Sequence, residues 1–299
     1  MITALSGSRT KSARISDYVQ LTKPRIVLLL IFTTISAMVI AADGTTLKPL
    51  TLVATIVGGS LAAAGASALN QYLERDLDAQ MSRTKNRPLP AGRITSLNAL
   101  LFGLGLIGWS ALILGLLVNW LTALLALAGA VYYVIIYTLV LKRNTELNII
   151  VGGGAGAMPV LVGWSAVSGH LAPQAFVLFA IIFFWAPPHS WALSILIDGD
   201  YERGNVPMLP VAWGADMARW QIAWYSLLVV ILTLIPAPLG MLSLGYFVIA
   251  VLLGIGLLYR ALHLLDLATK AAARQMYKYS STYLALLFLA MIADRLLFK

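Results

Sequence analysis

The chain has 299 residues, of which 60% are hydrophobic and 11% charged, whereas soluble domains carry about 25% charged residues. That composition excludes an ordinary soluble domain and implies a polytopic membrane protein. The lack of cysteine excludes disulfide and thiol chemistry, and three histidines without cysteine argue against structural zinc. The net charge of +9 is read as membrane orientation, with no nucleic-acid partner, because the basic residues flank apolar runs.

The first 25 residues are polar, with Arg9, Lys11, Arg14, Lys23 and Arg25. They read as a cytoplasmic segment, and residues 26–299 as one transmembrane domain. A helix needs about 20 apolar residues to cross the hydrocarbon core. Nine spans fit: Ile26–Ala42, Leu50–Leu69, Leu97–Val118, Trp120–Leu141, Leu147–Trp164, Pro173–Leu193, Ile222–Pro236, Leu242–Leu262 and Tyr283–Phe298. The first is expected to be retained, although Ala41-Ala42-Asp43 imitates a cleavage site. Asn119 alone marks the turn between the third and fourth spans. With the N-terminus in the cytoplasm, 18 of the 21 lysines and arginines fall on the inner side. Only Lys48, Arg295 and Lys299 fall outside, which supports both the count and the orientation. The expected fold is therefore all-α, with nine helices around a central cavity opening to the cytoplasm.

Two acid-rich stretches interrupt this apolar chain. The first, Asn70 to Gly92, follows span two; the second, Asp198, Asp200 and Glu202, follows span six. Four spans separate them, so both emerge on the inner side. Their equivalent places in two four-helix blocks hint at an internal duplication, although the blocks share little else. Ionisable groups at a membrane boundary mark a functional-site hypothesis.

Asn70, Glu74 and Asp78 lie at i, i+4 and i+8, within an arc of about 80° on a helix. One carboxamide and two carboxylates thus share a face, a donor set suited to Mg²⁺. The alternative is a solvated helix end with the acids paired to Arg75 and Arg83. Arg83, Lys85 and Arg87 follow, either as phosphate forks or as a positive-inside anchor. Pro159, Pro187 and Pro188 are expected to kink spans five and six. Gly152 and Gly156 make a small-residue spacing read as close helix packing. His189, between two tryptophans, Trp185 and Trp191, can ligate iron, accept a proton, or bond a freed carbonyl. His170 and His263 are given no role. Asp198 and Asp200 are two apart, and Gly199 and Gly204 allow a turn that lets both converge; capping is the alternative. Tyr137 and Lys142 at the inner end of span four are either phosphate contacts or boundary anchors. Asp266, Lys270, Arg274 and Lys278 are read as an amphipathic interfacial helix.

At these residues the chain resembles the UbiA superfamily of intramembrane prenyltransferases. Asn70-Gln71-Tyr72-Leu73-Glu74-Arg75-Asp76-Leu77-Asp78 and Arg83-Thr84-Lys85-Asn86-Arg87 match its first motif, and Asp198 with Asp200 its second. Trp185, Pro188-His189, Asp200-Tyr201 and Pro207-Met208-Leu209-Pro210 are similar to the subgroup that farnesylates haem. Glu74 departs from the pattern, standing where aspartate is usual. The resemblance implies transfer of farnesyl from farnesyl diphosphate to the 2-vinyl group of haem B, giving haem O and diphosphate. It implies Mg²⁺ held by Glu74, Asp78, Asp198 and Asp200, with Asn70 orienting the first pair. Arg83 and Arg87 would clamp phosphate, and His189, flanked by Trp185 and Trp191, would position haem. The setting implied is a bacterial inner membrane, with the C-terminus on the outer side and a haem A synthase downstream. The rival readings are a prenyltransferase for a quinone precursor or chlorin, a secondary transporter, and a haem-binding assembly factor.

Overall fold

The computed structural model describes residues 13–42 and 46–297. Arg9, Lys11 and Lys299 of the charge reading, and Asp43 of the cleavage-like sequence, lie outside the described residues. Among these residues nine helices are long and apolar enough to cross a membrane, and no strand is present. They are α2 (Pro24–Ala42), α3 (Pro49–Leu73), α5 (Ser96–Leu117), α6 (Trp120–Val131, continued by a π-helix over Tyr132–Leu141), α7 (Asn148–Ser168), α8 (Pro173–Leu196), α11 (Gly214–Leu234), α12 (Leu244–Leu267) and α13 (Lys270–Leu297). Short helices lie between them: α1 (Ile15–Thr22), α4 (Arg75–Gln80), α9 (Asp198–Arg203) and α10 (Leu209–Ala212).

The spanning helices are apolar nearly all round, as expected where one side meets protein and the other lipid. Leu28, Leu116, Trp120 and Leu252 face outward with most of their surface exposed, which suits a hydrocarbon solvent. Packing follows chain order into a closed ring. α3 lies along α5, α5 against α6, α7 against α8, α8 against α11, and α11, α12 and α13 follow. α13 returns to α2, where Phe288 meets Phe32 edge-on at 6.5 Å. α7 also packs along α2 and joins the two halves.

Asn119 makes the expected turn. Its Oδ1 accepts from the Thr122 amide at 2.8 Å, capping α6 and satisfying an amide that would otherwise lack a partner. The prolines of α7 and α8 interrupt neither helix. Pro187 leaves the Phe183 carbonyl without its helical donor, and Gly153 of α7 lies against that oxygen. Two boundaries differ from the sequence reading. α11 begins at Gly214 rather than near Ile222, and α13 begins at Lys270 rather than near Tyr283. Asp266 closes α12, while Lys270, Arg274 and Lys278 stand exposed on the first turns of α13. The basic row is therefore the polar end of a spanning helix and no separate interfacial element. Hydropathy stops where charge begins; hydrogen-bonded helix continues past it.

The 13–25 stretch is also more than a tether. The Leu21 carbonyl accepts from Ser67 Oγ at 2.8 Å and Gln71 Nε2 at 2.9 Å, which pins α1 to α3. Arg93 Nε donates to Asp17 Oδ1 at 2.6 Å and ties α1 to the loop before α5.

Candidate active site

The first acid stretch closes α3 and opens α4. The backbone bends at Glu74 (φ −97°, ψ 11°), yet the ladder continues: Glu74 N donates to Asn70 O at 2.9 Å and Asp78 N to Glu74 O at 2.7 Å. Asn70, Glu74 and Asp78 therefore keep one face, and all three are buried, at 1%, 1% and 2% exposure. Asp76 points off that face, as its spacing requires, and meets the Arg143 guanidinium through two bonds of 2.7 and 2.8 Å.

Each buried acid has a cation. Arg87 Nη1 lies 2.8 Å from both Asp78 oxygens. Lys142 Nζ lies 2.5 Å from Glu74 Oε1, a contact of charge outside hydrogen-bond directionality, so that Oε1 is buried with no hydrogen-bond donor. Lys23 Nζ donates to Asn70 Oδ1 at 2.9 Å, and Asn70 Nδ2 donates to Thr138 Oγ1 at 3.0 Å. The Lys23 stem remains partly accessible while its ammonium is enclosed. Burial, with the Arg87 and Lys142 charges beside it, pushes that ammonium down to about 7. Arg83 is exposed and makes no ion pair among the described residues.

The π-helix brings Lys142 and Thr138 to this face. Lys142 N donates to Tyr137 O at 2.8 Å, and Thr138 Oγ1 to Tyr133 O at 2.8 Å, both five residues back. In an ordinary α-helix Thr138 and Lys142 would stand about 140° and 180° around from Tyr133. The wider π turn, a form that recurs at functional sites, swings all three to one side. Tyr133 and Tyr137 stack at 5.5 Å. Gly152 makes room for the Tyr137 ring: a Cβ there would fall 2.3 Å from it. Gly156, its partner in the small-residue spacing, meets no side chain and lines the cleft described next.

This charged face sits at the head of an apolar cleft between α2, α3, α6 and α7, about 880 Å³ including its open mouth. Lys23, Ser67 and Tyr133 line the end nearer Asn70; Thr34, Gly59, Ala126 and Val162 line the other end.

The second acid stretch reaches the same end of the bundle. Asp200 Oδ1 accepts from Ser82 Oγ at 2.6 Å and Ser82 N at 3.3 Å, and pairs with Arg203. Gly204 lies against Leu77 and Met81 of the first stretch. Asn148 Nδ2, at the start of α7, donates to Pro207 O at 3.3 Å. The Ser82 bonds, then Arg203, hold the Asp200 carboxyl below the usual carboxylate range. Asp198 takes another direction. It meets Lys270 Nζ of α13 at 2.9 Å and keeps 42% of its side chain exposed; that hydrogen bond lowers its pKa. The two stretches thus meet through Ser82, and Asp198 turns away. No three acid or histidine side chains are grouped closely enough to share one metal ion among the described residues.

His189 lies apart from the acids, at the α8–α13 seam. Its ring stacks on Trp185 at 4.4 Å and meets Tyr277 at 4.7 Å. Ser280 fixes both aromatic residues: its carbonyl accepts from Trp185 Nε1 at 2.8 Å, and its Oγ lies 2.9 Å from His189 Nδ1. The Ser280 hydroxyl already donates to Tyr277 O at 2.9 Å, so Nδ1 carries the proton and donates to it. That leaves the lone pair on Nε2, which has no hydrogen-bond partner among the described residues. Trp185, one turn before His189, shares its face. Trp191, two residues on, faces the other way; it is 1% exposed and packs edge-on against Tyr225 at 5.2 Å.

Sequence reasoning passed over Lys23, Ser82 and Thr138. Lys23 was read only as a flanking charge, and nothing in Tyr132–Leu141 announces a π turn.

Among the described residues, a charge-dense face thus adjoins an apolar cleft within a bundle of nine spanning helices. The UbiA prenyltransferase family matches residues 29–291, and the chain belongs to that family. Its relatives include the protoheme IX farnesyltransferase of Roseiflexus castenholzii, 51% identical over 96% of this chain and 54% of that protein. The chain spans about half the length of that relative. The protoheme IX farnesyltransferase of Gloeobacter violaceus is 48% identical over 95% of this chain and 93% of its own length. Among solved structures, that described for digeranylgeranylglyceryl phosphate synthase superposes with a TM-score of 0.79 at 19% identity, covering 94% of this chain and 98% of that one. A UbiA homologue from Archaeoglobus fulgidus bound to GPP and Mg²⁺ gives 0.65 at 16% identity, covering 93% and 99%. These structures share the fold.

Proposed function

We propose that the chain joins the farnesyl group of farnesyl diphosphate to the terminal carbon of the 2-vinyl group of haem B while one water adds its hydroxyl to the neighbouring vinyl carbon, giving haem O and diphosphate. One observation carries this reading: Asn70, Glu74 and Asp78, ringed by Lys23, Lys142 and Arg87, stand at the head of a cleft lined by hydrocarbon. The relatives named protoheme IX farnesyltransferase, one aligned over 93% of its length, support the choice of substrates.

The donor set fits Mg²⁺, a hard cation that takes carboxylate oxygens and keeps other positions for water and phosphate. Glu74 supplies a buried oxygen with no hydrogen bond to lose. Glu74 and Asp78 would hold the metal, with Asp200 and Asp198 from the second stretch. Bound there, Mg²⁺ neutralises charge that develops on the leaving diphosphate.

The chain's own groups do the rest. Lys142 and Arg87 exchange their carboxylate partners, and Lys23 the Asn70 carboxamide oxygen, for phosphate oxygens, and Arg83, exposed on the same loop as Arg87, adds a fourth cation. Positive groups already in place stabilise charge without reorganising as it forms. Asn70, braced by Lys23 and Thr138, orients the first pair of acids. The cleft excludes bulk water from an allylic cation. His189 positions haem, with Trp185 stacked beside it and the Nε2 lone pair available to iron; Trp191 supports this face from the core. The mouth opens to the cytoplasm, with the N-terminus inside and the C-terminus outside a bacterial inner membrane. A haem A synthase consumes the product.

The test is to incubate the purified full chain with Mg²⁺, farnesyl diphosphate and either haem B or 4-hydroxybenzoate, and to analyse the products by mass spectrometry. Farnesylated haem with release of diphosphate is expected. Prenylation of the benzoate alone would transfer the site to another acceptor, and no diphosphate release would leave a binding protein or transporter.

A further inference from the structure

We propose that the far end of the cleft is a ruler for prenyl length, set by two helix contacts that glycine permits, and that it admits three isoprene units and rejects a fourth. The inference rests on the prenyl-diphosphate reading above and adds the residues that fix chain length.

The cleft ends where its walls close. At Gly163 of α7 a Cβ would fall 2.2 Å from the Thr34 carbonyl oxygen of α2. With no side chain there, the two helices touch backbone to backbone and seal one side. At Gly58 of α3 a Cβ would fall 2.5 Å from Leu114. Leu114 of α5 fills that notch, fully buried, and packs with Ala62, Ala126 and Val162 as one apolar cluster. Ser110 Oγ donates to the Gly58 carbonyl at 2.7 Å and holds α5 in place. The floor is therefore close-packed protein, and a longer tail can enter only by displacing it.

The depth follows from helical rise. From Ser67, at the end nearer Asn70, to Gly59 at the floor is eight residues of α3, or about 12 Å at 1.5 Å per residue. From Asn70, level with the Lys23 ammonium that lines the cleft and would take a phosphate oxygen, it is eleven residues, or about 16 Å. α7 agrees: Ala155 to Val162 is seven residues, or about 10 Å. Four carbon–carbon bonds of about 1.5 Å, drawn as a zigzag, carry one extended isoprene unit about 5 Å. Three units need about 15 Å and four about 20 Å, so the span from head to floor accepts the first and excludes the second.

The wall above the floor offers a graded test. Ala63 lies one turn closer to Asn70 than Gly59, and both line the cleft. A Cβ at Gly59 would meet only Ile31 Cδ1, at 3.4 Å, so small additions are tolerated there.

The experiment measures binding, apart from turnover. Unreactive geranyl, farnesyl and geranylgeranyl thiolodiphosphates are titrated with Mg²⁺ into the purified full chain in lipid nanodiscs. Farnesyl is expected to bind most tightly. Gly59→Leu is expected to weaken farnesyl at least about tenfold while leaving geranyl within about threefold, since even one methylene in a pocket is worth about tenfold. Ala63→Leu moves the block up one turn and weakens geranyl as well. Val162→Ala opens the floor and raises geranylgeranyl about tenfold relative to farnesyl. Gly108→Ala, exposed on α5 outside the cleft where a Cβ meets nothing within 4 Å, serves as the control with the wild-type order; should Gly59→Leu fail to fold, Val162→Ala carries the decision in the opposite direction. An unchanged order of the three lengths in these variants overturns the ruler and leaves the functional reading standing. A wild-type chain that binds none of the three removes the functional reading itself.

Discussion

The two acid stretches sit at the same end of the bundle, at equivalent places in its two halves, yet they are built differently. In the first, Glu74 and Asp78 are buried, and each has a cation, Lys142 from the end of the π-helix and Arg87 from later in the same stretch. In the second, Asp198 is exposed and Asp200 leans on Ser82 of the first stretch. The first is braced on all sides before any ligand arrives; the second borrows its position from the first. A buried charge held by a fixed partner costs little reorganisation when the reaction develops charge. An exposed acid paired with lysine is free to change partner at small cost.

This difference orders the expected effects of mutation. Asp78→Asn should lower turnover by about 10²–10³-fold, the range for loss of one preorganised electrostatic group, with membrane insertion and helix content unchanged. Added Mg²⁺ should not restore it. Lys142→Met should leave Glu74 buried without its cation and lower stability by about 3–5 kcal/mol, read from thermal unfolding in detergent. Asp200→Asn should cost turnover about tenfold, mainly through a higher KM for the diphosphate, because Ser82 still donates to the amide oxygen. Asp198→Asn should cost least of these acids. Equal losses at Asp78 and Asp198 would erase the contrast and mean that the second stretch swings inward on binding.

The smallest effect concerns a pair outside the mouth. The Arg143 hydrogen bonds hold Asp76 down to about 2. A carboxyl with a depressed folded pKa adds stability above its ordinary value, and that stability is lost as pH falls from about 4 towards 2. Both partners are more than one-third exposed, so the pair contributes about 0.2–1 kcal/mol. Arg143→Ala should lower the unfolding temperature slightly at pH 7 and not at all at pH 2.

Much of this was legible in the sequence because hydrocarbon imposes simple rules. Span length and the placement of lysine and arginine gave nine helices and put both acid stretches at one end. The i, i+4, i+8 spacing gave the shared face of Asn70, Glu74 and Asp78, and it survives the bend at Glu74 because the ladder bonds do. The misses have a common cause: they depend on which helix comes alongside. Nothing local distinguishes Lys23 from the other flanking cations until Asn70 of α3 is beside it. Asp198 meets Lys270 across 72 residues of chain. Trp185 and Trp191 both flank His189 in sequence, but spacings of four and two turn them to opposite sides of a helix. The start of α13 was placed too late because apolar runs mark the membrane, not the helix.

The π-helix makes one demand that chemistry alone would not. Thr138 and Lys142 face Asn70 and Glu74 because the backbone between Tyr132 and Leu141 carries a surplus residue in its winding. Val134, Ile135 and Ile136 can be exchanged for other apolar side chains without disturbing that phase. At the same length, rewinding the segment as an ordinary helix would turn the lysine to about 180° from Tyr133, away from Glu74. The winding of this stretch is therefore constrained more tightly than its side chains, so a change that restores ordinary helix at the same length disturbs the site more than several apolar exchanges.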